Sequence, residues 1–296
     1  MTTGAVTAAP AAWRGLALDY VRLTKPRVIS LLLVVTVGAM MVAADGFPDL
    51  VTLAATMVGG YLAAGGAHSI NQFADRDLDR HMSRTDARPV VSGRVSPTGA
   101  LVFGIALGLA SFLLLGLVVN WLAAVLAMAG LVLYVGLYTA WLKRTTVHNI
   151  VIGGAAGAVP PLVGWAAVTG ELSLTAWLMF AIVFYWTPPH FWALSLMLER
   201  DYARAGVPML PVVRGERETR RQIVLWTLVM IGVSLLPTVA GAAGLGYLVA
   251  ALIGGGVMLG LALRLDRDGG RWARPTFSYS LIYLVIIFVA LGVDAA

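Results

Sequence analysis

Apolar residues fall into nine long blocks along the chain, at 28–44, 50–70, 98–119, 121–142, 147–168, 174–197, 222–240, 245–263 and 276–293. None of these blocks contains Asp, Glu, Lys or Arg. Each is long enough for a helix rising about 1.5 Å per residue to cross a hydrocarbon core about 30 Å thick. The alternating segments of about ten residues that a membrane β-barrel needs are absent. The pattern predicts an all-α polytopic membrane protein with nine transmembrane helices, built as one domain over 21–296. Residues 1–20 read as an N-terminal arm with an Ala/Thr-rich start, expected to be disordered. The first block follows Lys25 and Arg27 and ends Val42-Ala43-Ala44, loosely like a secretory leader. It is overlong for one and reads as a span.

Composition narrows the class. Hydrophobic residues make up 59% of the 296 and charged residues only 12%, against about a quarter charged in a soluble domain. A soluble enzyme and a disordered chain are excluded. The lack of cysteine removes Fe–S clusters, Cys-ligated zinc and thiol nucleophiles.

Charge then sets the orientation. Nine crossings place all 21 Lys and Arg on one side with 11 acids, a net +10, and leave Asp45, Asp49, Glu171 and Asp294 on the other. The positive-inside rule puts the N-terminus and every long loop in the cytoplasm, and a bacterial inner membrane is the expected location. The long loops are 71–97 and 198–221. They share a fragment, Pro89-Val-Val-Ser-Gly93 and Pro211-Val-Val-Arg-Gly215, at an offset of 122 residues. The match suggests a pseudo-repeat of spans one to four and five to eight.

The second block runs into Asn71-Gln-Phe-Ala-Asp75-Arg-Asp77-Leu-Asp79. If the helix continues, Asn71, Asp75 and Asp79 share one face. Such a stripe of oxygens calls for a counter-ion, and Mg²⁺ takes oxygen ligands while bridging carboxylates to phosphates. The alternative is a solvated helix end paired with Arg76 and Arg80. Arg84 and Arg88 follow, and a guanidinium fork suits phosphate oxygens. These arginines also serve topology alone. The sixth block ends Thr187-Pro-Pro-His190-Phe, where two prolines are expected to break the helix beside His190. A histidine at that depth acts as an acid or base, a haem-iron ligand or a structural donor. His68, the counterpart of His190 under the offset, and His148 read as structural or interfacial. Glu199, Asp201, Tyr202 and Arg204 complete a polar site or a solvated loop.

The run from Asn71 to Pro97 resembles the UbiA superfamily of membrane prenyltransferases, and within it the haem O synthase (protohaem IX farnesyltransferase) branch. The stretches 23–28 (LTKPRV), 142–165 and 187–213 are similar to that branch too. The resemblance implies a nine-helix UbiA-like bundle with its site open to the cytoplasm. It implies transfer of farnesyl from farnesyl diphosphate to the 2-vinyl group of haem b with water addition, Mg²⁺ as cofactor and a haem A synthase downstream. It carries catalytic and metal roles to Asn71, Asp75 and Asp79, a catalytic role to His190, and diphosphate binding to Arg84, Arg88, Lys25, Arg27, Lys143 and Arg144. Two features depart from the wider superfamily. Only Glu199 and Asp201 stand where a second Asp-x3-Asp occurs, and Thr139 rather than Tyr precedes Lys143 by four. Both fit the haem branch and leave the ligands of any second Mg²⁺ open.

Other functions remain. A UbiA-type enzyme for a quinone precursor would share the diphosphate site, but Pro-Pro-His-Phe and the missing second acid motif disfavour it. A transporter would place ionisable groups at mid-membrane, where this chain has no Asp, Glu, Lys or Arg. A non-catalytic haem-binding assembly protein would need the histidines without the Asp ladder. Nothing in the sequence points to nucleic acid.

Overall fold

The computed structural model describes residues 10–268 and 270–295, and every regular element among them is helical. The nine apolar blocks correspond to nine helical rods among the described residues. These are α2 (Pro26–Ala44), α3 (Leu50–Ala74), α5 (Pro97–Leu114), α6 (Trp121–Val132), the pair α8 (Asn149–Gly157) and α9 (Val159–Thr169), α10 (Leu174–Met197), α12 (Leu210–Val239), α13 (Leu245–Asp268) and α14 (Ala273–Asp294). The shorter α1 (Pro10–Thr24), α4 (Arg76–Asp79), α7 (Lys143–Thr145) and α11 (Glu199–Arg204) lie outside the apolar blocks. Hydropathy alone qualifies eight rods as spans. The ninth, α10, holds His190, Pro188, Pro189 and several aromatics, yet at 24 residues it is long enough to cross.

The structure differs from the sequence reading at the arm and at the prolines. Residues 10–20 are helical, within α1. They are held because Asp19 is buried and ion-paired to Arg22 and, through Arg94, to the first loop. Residues 1–9 of the expected arm lie outside the described residues.

Pro188 and Pro189 do not break α10, which runs unbroken through them. They only deprive the carbonyls of Phe184 and Tyr185 of their usual N–H donors. The break falls instead in the fifth block, where Ala158 separates α8 from α9. There Pro160 and Pro161 sit in the first turn of α9, where a missing N–H costs nothing. Two rods also change register. α5 continues as a π-helix over Leu115–Val119, and α6 as one over Leu133–Leu142 leading into α7.

Short caps set the ends of the rods. Asn120 is the whole connection between the third and fourth spans. Its Oδ1 accepts from Ala123 N at 2.9 Å, and its Nδ2 donates to Ala166 O on α9 at 2.7 Å. The helices then close a ring: α2 packs on α3, α3 on α5, α5 on α6, α6 on α9, α9 on α10, α10 on α12, α12 on α13, α13 on α14, and α14 returns to α2. Val35, Met179, Ile182, Tyr247, Tyr283 and Phe288 fill one buried cluster, while Val102, Leu109, Leu117 and Ile253 face outward. An apolar exterior is what a bilayer requires.

Helices α3 and α5 approach closely where glycine meets glycine. A Cβ on Gly66 would lie 2.6 Å from Gly104 O, and one on Gly104 2.8 Å from Gly66 O. Backbones can approach this closely only where side chains are small. Gly66→Val should therefore push α3 away from α5 and lower stability by about 1–3 kcal/mol. Thermal unfolding of the detergent-solubilised protein should show the loss, and an unchanged midpoint would contradict this packing.

Candidate active site

The ladder of oxygens at the end of α3 forms as the spacing predicts. α3 hands over to α4 at Asp75, but the helical bonds carry on: Asp75 N donates to Asn71 O at 2.9 Å and Asp79 N to Asp75 O at 2.8 Å. Asn71, Asp75 and Asp79 therefore stay in line, and all three are buried. The solvated-helix alternative does not hold. Arg76 turns back to Phe73 O, and the acids find their cations elsewhere.

Those cations come from three further segments. Lys143 Nζ, at the end of the π-helical stretch, bonds Asp75 Oδ2 at 2.5 Å. Arg88 Nη1, from the first loop, bonds Asp79 Oδ2 at 2.5 Å. Lys25 Nζ, from the junction of α1 and α2, donates to Asn71 Oδ1 at 3.1 Å. The Asn71 amide donates to Asp75 Oδ2 at 2.6 Å and to Thr139 Oγ1 at 3.1 Å. Lys25 reaches this position from a left-handed backbone, φ 55° and ψ 62°. That conformation costs a non-glycine residue about 1–2 kcal/mol, and strain of this kind gathers at functional sites. Burial, and then the neighbouring Arg88, hold the Lys25 ammonium well below the usual lysine range.

Not every candidate joins the ladder. Arg144 clasps the exposed Asp77 with two bonds of 2.7 and 2.8 Å and donates to Ala74 O, with Asp75 Oδ1 3.6 Å away. It lines a surface cleft of about 380 Å³ with Ala74, Arg76, Asp77 and Ala140. Arg27 and Arg84 are exposed and form no ion pair among the described residues. His148 and His81 are exposed as well.

His190 lies apart from the ladder. It is buried and stacked between Trp186 and Phe277, with ring centroids at 4.2 and 4.7 Å. Its Nδ1 is 2.6 Å from Ser280 Oγ, which itself donates to Phe277 O at 2.6 Å. A hydroxyl has one proton to give, so Nδ1 carries the hydrogen and Nε2 keeps its lone pair.

His68 stands one turn before Asn71, buried, its ring edge-on to Tyr134 at 5.4 Å, and Tyr134 neighbours Tyr138 at 5.6 Å. Sequence reasoning missed the Thr139 contact and the left-handed Lys25. Only the Lys25-Pro26 dipeptide hints at the latter, because a following proline disfavours the right-handed helical region.

Two oxygens in the ladder remain unspent. Asp75 Oδ1 and Asp79 Oδ1 are sealed from solvent and accept no hydrogen bond. Among the described residues no three His, Asp or Glu side chains converge into a preformed metal cage. The donor set instead suits Mg²⁺ held by one or two carboxylates together with substrate phosphates.

Residues 31–288 match the UbiA prenyltransferase family. The chain belongs to that family. It is 53% identical over 279 residues to the Protoheme IX farnesyltransferase of Symbiobacterium thermophilum, covering 93% of each. It is 56% identical over 279 residues to the protein of that name from Roseiflexus sp. (strain RS-1), covering 93% of this chain and 52% of the other. The chain thus spans about half the length of the first curated relatives it matches. Two solved structures share the fold. One is a digeranylgeranylglyceryl phosphate synthase at TM-score 0.77 and 18% identity, covering 95% of this chain and 99% of that one. The other is a UbiA homolog from Archaeoglobus fulgidus bound to GPP and Mg²⁺, at TM-score 0.67 and 14% identity, covering 92% and 99%.

Burial makes the ladder sensitive to its cations. Lys143→Met would leave Asp75 without its close counter-charge, and breaking a buried pair costs about 3–5 kcal/mol. Arg27→Ala removes an exposed, unpaired side chain and should change stability by less than about 0.5 kcal/mol. Unfolding titrations of both variants should show this contrast, and equal losses would refute the assignment of Lys143.

Proposed function

We propose that this chain transfers farnesyl from farnesyl diphosphate to the 2-vinyl group of haem b, with addition of water, giving haem O and diphosphate. The buried ladder of Asn71, Asp75 and Asp79, ringed by Lys25, Arg88 and Lys143, carries the reading. The relatives named Protoheme IX farnesyltransferase support the choice of substrates. The +10 charge of the loop-bearing side supports a site on the cytoplasmic face of a bacterial inner membrane. A haem A synthase acting downstream is the expected consumer of the product.

The residues divide the work. Asp75 Oδ1 and Asp79 Oδ1 would hold Mg²⁺, which supplies positive charge to the diphosphate oxygens as the leaving group departs. Lys25, Lys143 and Arg88 lie close enough to shift from carboxylate and amide partners toward an incoming diphosphate. Arg84 reaches it from the loop. The C1–O bond of the prenyl chain breaks, and the bonding electrons leave with diphosphate. Tyr134 and Tyr138, deeper than the ladder, offer ring faces to the allylic cation and help keep water out. The terminal vinyl carbon of haem b forms the new bond to C1. Water then adds at the carbon next to the porphyrin and loses a proton. His190 presents Nε2 with Nδ1 anchored on Ser280, the arrangement of a histidine that ligates a metal. We assign it to the iron of the haem substrate.

The purified protein, given haem b, farnesyl diphosphate and Mg²⁺, should yield a porphyrin heavier by one farnesyl group and one hydroxyl group, measured by mass spectrometry. Omitting Mg²⁺, or introducing Asp75→Asn, should reduce the yield at least a hundredfold. Undiminished product in either case would overturn the metal assignment. His190→Ala should alter the optical spectrum of bound haem b, whereas an unchanged spectrum with turnover lost would assign His190 to proton transfer.

A further inference from the structure

The second cytoplasmic loop holds a buried acid that the reaction above does not use. Asp201, in α11, is 8% exposed. Its carboxylate accepts from Ser83 Oγ at 3.1 and 2.9 Å and from Arg204. Ser83 and Arg84 belong to the first loop, so Asp201 ties the two long loops together. Apolar packing seals the contact, because Met82 shares a buried cluster with Trp192, Tyr202, Val207 and Met209. Burial raises the Asp201 carboxyl, but the bonds from Ser83 and Arg204 outweigh it and hold the group below the usual carboxylate range. It is an anion at neutral pH with its donors already in place.

Arg84 and Arg88, both in the first loop, differ in what they are free to do. Arg88 is bound to Asp79. Arg84 is exposed and has no ion pair among the described residues, while the residue just before it, Ser83, is the one Asp201 holds. Asp201 also stands 122 residues after Asp79, the offset that relates the two loops. One acid of this pair lies in the ladder, and the other is spent on holding a loop.

We propose that Asp201 is a positioning residue for the prenyl diphosphate: it clamps Ser83 so that the adjacent Arg84 guanidinium reaches the diphosphate, and it does not serve as a metal ligand. The proposal rests on reading the Asn71–Asp79 ladder as a diphosphate site. A buried carboxylate whose two oxygens are already taken by Ser83 and Arg204 has little to offer a cation, whereas a held loop lowers the entropy cost of placing a long side chain.

The test titrates inorganic pyrophosphate, in the presence of Mg²⁺, into the full detergent-solubilised chain by calorimetry. Asp201→Ala and Ser83→Ala should each weaken binding about tenfold, the scale of one charge-assisted contact. The double variant Asp201→Ala/Arg84→Ala should bind no more weakly than Arg84→Ala alone, because both changes remove the same contact. The Mg²⁺ concentration giving half-maximal binding should match wild type in Ser83→Ala and Asp201→Ala. Ser83→Ala removes one hydroxyl and leaves the Arg204 pair, so it carries the test if Asp201→Ala fails to fold. Wild-type affinity in Ser83→Ala, multiplying losses in the double variant, or a raised Mg²⁺ requirement would each overturn the clamp. Failure of pyrophosphate to bind the wild type would overturn the diphosphate reading and the clamp with it. Failure of the clamp alone would leave wild-type binding intact.

Discussion

Two carboxylates buried inside a membrane protein are the constraint on which the rest of the site depends. Asp75 and Asp79 are almost fully removed from solvent, and an ion in such surroundings is tolerated only if opposite charge and hydrogen bonds surround it. No single helix can supply them. Lys25 comes from the α1–α2 junction, Arg88 from the first loop and Lys143 from the end of the fourth span. The packing of α3 against its neighbours is therefore also what assembles the ring of cations. The ring pairs the acids without a ligand yet leaves Asp75 Oδ1 and Asp79 Oδ1 without a hydrogen bond, and the proposed function gives those two oxygens their use.

Much of this was legible in the sequence. The nine blocks lie on nine rods, because a hydrocarbon core imposes a minimum length and forbids charge. The ladder was legible too, because the i→i+4 bonds persist through Asp75 and spacing then maps directly onto one face. What could not be read depends on neighbours distant in sequence. Arg144 has the composition of a phosphate ligand but is held by Asp77 and Ala74 O. Thr139 became visible only when the fourth span brought it against Asn71. The prolines misled for a related reason. At 188–189 the helix absorbs them within a packed bundle, whereas at 160–161 they fall at a helix start. Sequence alone does not say which surroundings a Pro-Pro pair will meet.

The shared loop fragment has a physical counterpart. Gly93 and Gly215 both adopt positive φ, 74° and 81°, a backbone state that glycine enters without penalty. Gly93 turns the chain after Arg84 and Arg88. Gly215 interrupts α12 near its N-terminal end, and the helix beyond it is long and apolar enough to cross a membrane. The two long loops are thus shaped by the same local device, although their acids serve different ends.

The π-helical stretch Leu133–Leu142 changes what counts as a neighbour in this family. An α-helix advances about 100° per residue, and a π-helix takes more residues to complete each turn. Tyr138, Thr139 and Lys143 are therefore placed by ladder register as much as by their separation in sequence. Aligning two such proteins by counting residues back from the basic group would pair side chains that face different directions. One residue gained or lost inside the stretch would act as a rotation of somewhat less than about 100°, turning Thr139 and Tyr138 relative to Lys143. The facing of these side chains can therefore be changed by indels within a membrane helix, a route that point substitutions do not sample.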